Sequence, residues 1–321
     1  MKADRGLLRR FRRWLAWGIG LAVVFYVAFS AWIGLGPVAD TLAHFSWGYY
    51  VPALVLTLLN YALRFGKWHY LLGRLGIRID WKEDALIFCA GLAMVISPGK
   101  VGEVLKPYLV RVRTGVPMAT TIPVLITERL TDGIACLSLA ALGVGTYMAD
   151  SAIYLAIPLA MIAVMLLVLS NVRLSLWIIH LLGKLPLISK LSAKLEELYV
   201  AMRTCVAPVP LVVTVAMSMV AWGGECLGYE LIFDGFGLDV PLAQATFMYA
   251  FATVAGGAVP GGLGVADGAL QALANSLVAG ITPAQALAAA MLIRLATLWM
   301  GELIGAIALF KVGDLLEEEE E

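Results

Sequence analysis

The sequence predicts an all-α, polytopic helical membrane protein: about six full transmembrane helices and two re-entrant helical hairpins, arranged as an inverted repeat. Three observations carry this. Of 321 residues, 61% are hydrophobic and 14% charged, where soluble domains carry about 25% charged residues; mean hydropathy is +0.88. Two apolar segments, each too short to cross a bilayer that needs roughly 20 residues, are broken alike, at Ser97-Pro98-Gly99-Lys100-Val101-Gly102-Glu103 and Val259-Pro260-Gly261-Gly262-Leu263-Gly264-Val265. Lys and Arg avoid every second loop.

Read in order, residues 1–13 form a basic, cytoplasmic N-terminus (Lys2, Arg5, Arg9, Arg10, Arg12, Arg13). The apolar run 14–35 is too long for a signal-peptide core and lacks a small-residue cleavage site, so it predicts a retained anchor helix. Further spans are expected at 50–72, 118–147, 152–170, 209–233 and 282–310. The first repeat covers 50–147 with hairpin 84–113; the second covers 209–310 with hairpin 241–280. Between them, 171–207 mixes apolar and basic residues and reads as an interfacial amphipathic linker on the cytoplasmic side. The tail 311–321 ends in the acidic run Glu317–Glu321, expected to be solvated and disordered.

With the N-terminus inside, the outer segments are 36–49, 148–151 and 234–281, and none contains Lys or Arg. Arg74, Arg78, Lys82, Arg111, Arg113, Arg173, Lys184, Lys190, Lys194, Arg203 and Lys311 all fall inside. This satisfies the positive-inside rule and fails if either hairpin crosses. It puts the first hairpin on the cytoplasmic side, the second outside, and both termini in the cytoplasm. The expected location is the bacterial inner membrane.

The charges inside apolar helices carry the functional reading. Glu128, Arg129 and Asp132 lie roughly 13–20 Å along helix 118–147, near the midplane. Glu128 and Asp132 share a face at i,i+4. Such groups must face protein or water, and are functional unless they form an internal salt bridge. Arg294 holds the matching place in the second half. Lys100, Glu103 and Lys106 follow the first break and Asp267 the second; beyond each Pro-Gly a half-helix can restart with free N–H groups, an anion-binding geometry. The glycines, Gly99, Gly102, Gly261, Gly262 and Gly264, permit tight turns and close backbone approach. Arg64 and Lys67 sit near the inner end of their helix and are expected to snorkel. Glu225, Glu230 and Glu302 are the expected charge partners of the arginines, Glu302 of Arg294 in particular; Glu225 or Glu230 would otherwise carry a coupling proton. Gly224-x-x-x-Gly228 and Gly301-x-x-x-Gly305 are helix-packing motifs.

Enzyme signals are poor. His44, His69 and His180 are scattered, Cys89, Cys136, Cys205 and Cys226 are isolated, and no GxxxxGK, GxGxxG or GxSxG occurs. No catalytic residue, metal, cofactor or nucleic acid is expected.

The ordered set Pro98-Gly99-Lys100-x-Gly102-Glu103-x-x-Lys106, Glu128-Arg129-x-x-Asp132, Pro260-Gly261-Gly262-x-Gly264 and Arg294 resembles the lysylphosphatidylglycerol synthase transmembrane region, also called the flippase-like or UPF0104 family. In its best-understood members this region is joined to a soluble aminoacyltransferase and moves the lipid product to the outer leaflet. The present chain ends after its last helix, so the resemblance implies lipid translocation without lipid synthesis. The substrate would be a phospholipid, hopanoid or polyprenyl-phosphate-linked lipid. Asp267 stands where relatives are expected to carry Glu. Two rival readings are a secondary transporter of a small anion and a non-transporting partner of a glycosyl- or acyltransferase. Expected partners are the lipid itself, a lipid-modifying or glycosyltransferase protein, and a second copy of the chain.

Overall fold

The computed structural model describes residues 35–97, 102–147 and 192–318, with positions 20, 156, 160 and 162–164. The N-terminus 1–13, nearly all of the span 14–35, Pro98, Gly99, Lys100 and Val101, the loop 148–151, nearly all of 152–170, the first part of the linker, and 319–321 lie outside the described residues. All regular structure within the described residues is helical, with no strand, as the composition and the long apolar runs predict.

The elements are α1 (Leu35–Ala43), a short turn of 3-10 helix (Trp47–Tyr49), α2 (Tyr50–Arg74), α3 (Trp81–Leu92), α4 (Leu105–Thr114), α5 (Met118–Tyr147), α6 (Ser192–Cys205), α7 (Pro208–Gly235), α8 (Leu242–Ala255), α9 (Val265–Leu277), α10 (Pro283–Arg294), a π-helical segment (Leu295–Trp299) and α11 (Met300–Glu318). Local chemistry sets several boundaries. Asp80 caps α3 by accepting from the Lys82 N–H at 3.0 Å. α4 ends on Gly115, whose φ of 74° suits a left-handed C-cap. Thr282 and Gln285 form a reciprocal capping box at the start of α10, with Pro283 in the first turn. α11 continues through Glu318, past the expected end of the span at 310 and into the acidic run, because Leu and Glu are good helix formers.

Among the described residues, Pro208–Gly235 and Pro283–Val312 are long and apolar enough to cross a membrane, and Gly36–Ala43 with Trp47–Arg74, bent by 78°, would make a third if the pair is one span. α5 has 30 residues, enough to cross, but its central charges must be covered by protein. α3, α4, α8 and α9, with 12, 10, 14 and 13 residues, are helix–break–helix pairs at the two expected hairpins.

α2 and α7 form the central pair and run antiparallel: a Cβ on Gly228 would lie 3.6 Å from Ala53, and one on Gly224 3.8 Å from Leu56. The other small-residue motif brings backbones closer still, with a Cβ at Gly305 falling 2.2 Å from the Ala93 nitrogen. Each half's broken segment packs on the other half: α3 lies against α11, and α8 against α5. Two apolar cores result. One gathers α2, α3, α4 and α11 around Trp68, Leu71, Phe88 and Leu109; the other gathers α7 to α10 around Tyr229, Phe233, Phe247 and Ile293. In the linker, α6 rests on α5 through Met202 and Val206 against Leu130.

Candidate functional site

The two breaks converge. The Gly261 N–H donates to the Val95 carbonyl at 2.9 Å, so the turn of one broken segment is hydrogen-bonded to the other. Gly261, Gly262 and Gly264 have φ of 58°, 68° and 79°, a region that side-chain-bearing residues avoid. Beside this junction lies a cavity of about 140 Å³ whose wall includes Arg64, Arg129 and Arg294, with Glu225 as its one carboxylate among the described residues. Tyr61, Tyr249, Thr253 and Thr297 add hydroxyl groups, and Trp222 an indole.

Around the cavity, buried charges are tied in pairs. Lys67, only 1% exposed, bonds Asp132 Oδ1 at 2.6 Å, Ser218 Oγ at 2.8 Å and Thr131 Oγ1 at 3.2 Å. Lys106 pairs with Glu128 Oε2 at 2.5 Å and lies 4.2 Å from the centre of the Trp68 ring, a cation–π contact. Arg294 donates to Asp267 Oδ1 at 3.0 Å and to the Gly261 carbonyl. These bonds satisfy charges that would otherwise be prohibitive in an apolar interior.

Two arginines are held differently. Arg129 reaches Glu103 and Asp132 only at 3.5 Å each, about 1 Å longer than the lysine pairs, and its side chain is 32% accessible. Arg64 is 9% exposed and has no ion pair among the described residues. It lies 5.9 Å from the centre of the Trp222 ring, and its buried Nε has no hydrogen-bond partner. A tightly paired lysine holds helices together. A loosely held guanidinium facing a cavity can take an anion in a bidentate fork.

Several expectations change here. Arg64 and Lys67 do not snorkel: both are buried, Lys67 inside the cluster and Arg64 at the cavity. Glu302 is not the partner of Arg294; Asp267 is. Glu302 instead accepts from the Ile96 N–H at 3.2 Å, bracing the first break. Glu230 is half-exposed and takes no part in the cavity. The half-helix N-termini are partly occupied from within. Asp267 Oδ2 accepts from the Gly264 N–H at 2.8 Å, and Ser97 Oγ from the Gly102 N–H at 2.9 Å. The anion expected at each restart is thus, at the second break, a carboxylate of the protein itself. Glu103, Lys106, Glu128, Arg129 and Asp132 do come together, as do Gly261, Gly262, Gly264, Asp267 and Arg294; Pro260 begins the short helical turn over the second break.

Asn60, Tyr61, Arg64 and Lys67 lie on one face of α2, at spacings of three and four. That spacing was the available signal for Arg64 and Lys67. Nothing in the sequence marked Trp222 or Tyr249 from α7 and α8.

Apolar helices that enclose a layer of paired charges and a cationic cavity define an integral helical membrane protein. Residues 15–305 match the lysylphosphatidylglycerol synthase TM region, and the chain belongs to that family. It is similar to a UPF0104 membrane protein from Methanothermobacter thermautotrophicus, 24% identical over 327 residues that cover 94% of this chain and 96% of the relative. Membership gives it a membrane, lipid-related role.

Proposed function

We propose that the protein is a flippase-like lipid transporter of the bacterial inner membrane, and not an enzyme, in which the cavity receives the anionic phosphate of a lipid head. The observation that carries this reading is the convergence of three arginines on one cavity, with Arg64 free of any ion pair among the described residues. The cavity, about 140 Å³, has room for a phosphate-sized group, and in this reading the tails stay in hydrocarbon while the head passes. The protein's task is to replace the water that a charged phosphate loses in the apolar layer.

In this reading the two broken segments are re-entrant hairpins of an inverted repeat. Their arms are too short to cross, their breaks meet at Gly261 and Val95, and each packs on the opposite half. Alternating access follows from rocking one half against the other around a fixed site. Both termini are cytoplasmic, and the drive is a gradient or consumption of the moved lipid.

The same volume favours one rival, transport of a small soluble anion. Native mass spectrometry of the purified protein separates them. Retention of an anionic lipid by the wild type, lost in Arg64→Ala and Arg129→Ala, is the expected result. Retention of inorganic anion with no lipid would favour the rival.

A further inference from the structure

Among the described residues, Glu225 is the one acidic residue in the cavity wall, 3% exposed. Its Oε2 accepts from the Tyr249 hydroxyl at 2.6 Å. No cation forms an ion pair with it among the described residues; its charge is balanced across the cavity by the arginines. The groups that face it are Tyr61 and Arg64 from α2, Arg129 and Asp132 from α5, Tyr249 from α8 and Arg294 from α10. Asp132 is already neutralised by Lys67. Glu225 is thus the carboxylate that shares the cavity's cations with whatever enters.

From this we infer that Glu225 is a coupling site for a proton: it takes up one proton when an anion occupies the cavity and returns it when the anion leaves. The inference rests on the reading of the cavity as an anionic-headgroup site. With the cavity empty, Glu225 offsets part of the charge of Arg64 and Arg129. A phosphate docking on those guanidiniums brings a second negative charge into the cavity whose wall holds the carboxylate. Two like charges in one desolvated site do not both persist, and the carboxylate is the one that can be neutralised by protonation. The balance is simple. One lipid phosphodiester enters as a monoanion, one proton from water joins Glu225 to give the neutral acid, and the Tyr249 hydroxyl remains a donor to it.

A proton needs a route, and polar groups with no protein partner mark one. Both amide atoms of Asn60, which is fully buried one turn before Arg64 on α2, lack a hydrogen bond among the described residues. So does Trp222 Nε1, one turn before Glu225 on the cavity wall. Buried polar groups of this kind are satisfied by water or a ligand. The consequence for transport is that anion and proton move as a neutral pair. The membrane potential then neither drives nor opposes the step.

The test measures proton uptake in weakly buffered detergent solution with a pH-indicator dye, on adding dioctanoyl phosphatidylglycerol to the purified full chain. Binding is followed in parallel by calorimetry. Wild type is expected to take up about one proton per bound lipid, and its apparent Kd to rise about tenfold per pH unit on the alkaline side. In Glu225→Gln the uptake should vanish and the Kd should become flat with pH. Lipid binding without proton uptake by the wild type would overturn the coupling inference and leave the anion site standing. Failure of the lipid to bind at any pH would overturn the anion site and the coupling with it. The wild-type measurement decides even if the variant does not fold.

Discussion

At the scale of single residues, the structure separates cations that hold the fold from cations that serve the cavity. Lys67 has Asp132 and Ser218 around it. Lys67→Ala would leave the buried Asp132 only its 3.5 Å ion pair with Arg129 among the described residues, and breaking a buried pair costs about 3–5 kcal/mol. We expect Lys67→Ala to lower thermal stability sharply, read as the melting temperature of the detergent-solubilised protein on size-exclusion chromatography. Arg64→Ala strands no partner among the described residues, so the protein should stay folded and lose lipid transport at least tenfold. Arg64→Lys should restore little, because an ammonium cannot reproduce the planar fork. If Lys67→Ala were as stable as wild type, or Arg64→Ala unfolded, the assignment of roles would be reversed. The sequence could not separate the two. Depth in a bilayer was counted from a presumed helix end, and an error of one turn converts a snorkelling side chain into a buried one.

At the scale of elements, the breaks were legible because glycine and proline leave few alternatives. Gly261, Gly262 and Gly264 make the tight turn expected of them, through positive φ, and Gly224 and Gly228 pack on α2 as a small-residue motif should. The partnership of Asp267 with Arg294, and of Glu302 with the Ile96 N–H, was not legible. Both bridge elements far apart in sequence, and one sequence carries no record of which buried charges meet. The packing makes a sharp prediction for glycine substitutions. Gly305→Ala places a methyl group 2.2 Å from the Ala93 backbone nitrogen, so α11 must move away from the first break. Gly261→Ala combines φ of 58° with a contact 3.2 Å from Ile96. Gly223→Ala meets nothing within 4 Å. Melting temperatures should fall for the first two, by roughly the 1–3 kcal/mol typical of overpacking, and stay or rise for the third. Equal stability of all three would refute the close approach.

At the scale of the whole molecule, the account needs the two broken segments to enter from opposite faces. Single cysteines introduced into a cysteine-free background should label from the cytoplasm at 111–117 and from outside at 236–240. Labelling of 111–117 from outside would show that the first hairpin crosses. The all-helical class followed from composition alone. The reciprocal packing of α3 on α11 and α8 on α5 had no local signal and emerges only from assembly. The central claim is that this assembly carries a charged lipid head through an arginine-lined cavity. Purified protein in liposomes, assayed without ATP by chemical reduction of labelled lipid in the outer leaflet, tests it most directly. The panel should cover phosphatidylglycerol, a hopanoid and undecaprenyl phosphate. The account predicts faster exchange than in empty liposomes for at least one anionic lipid, abolished by Arg64→Ala and by Arg129→Ala. Exchange no faster than in empty liposomes for every lipid, or undiminished exchange in both arginine variants, would contradict it.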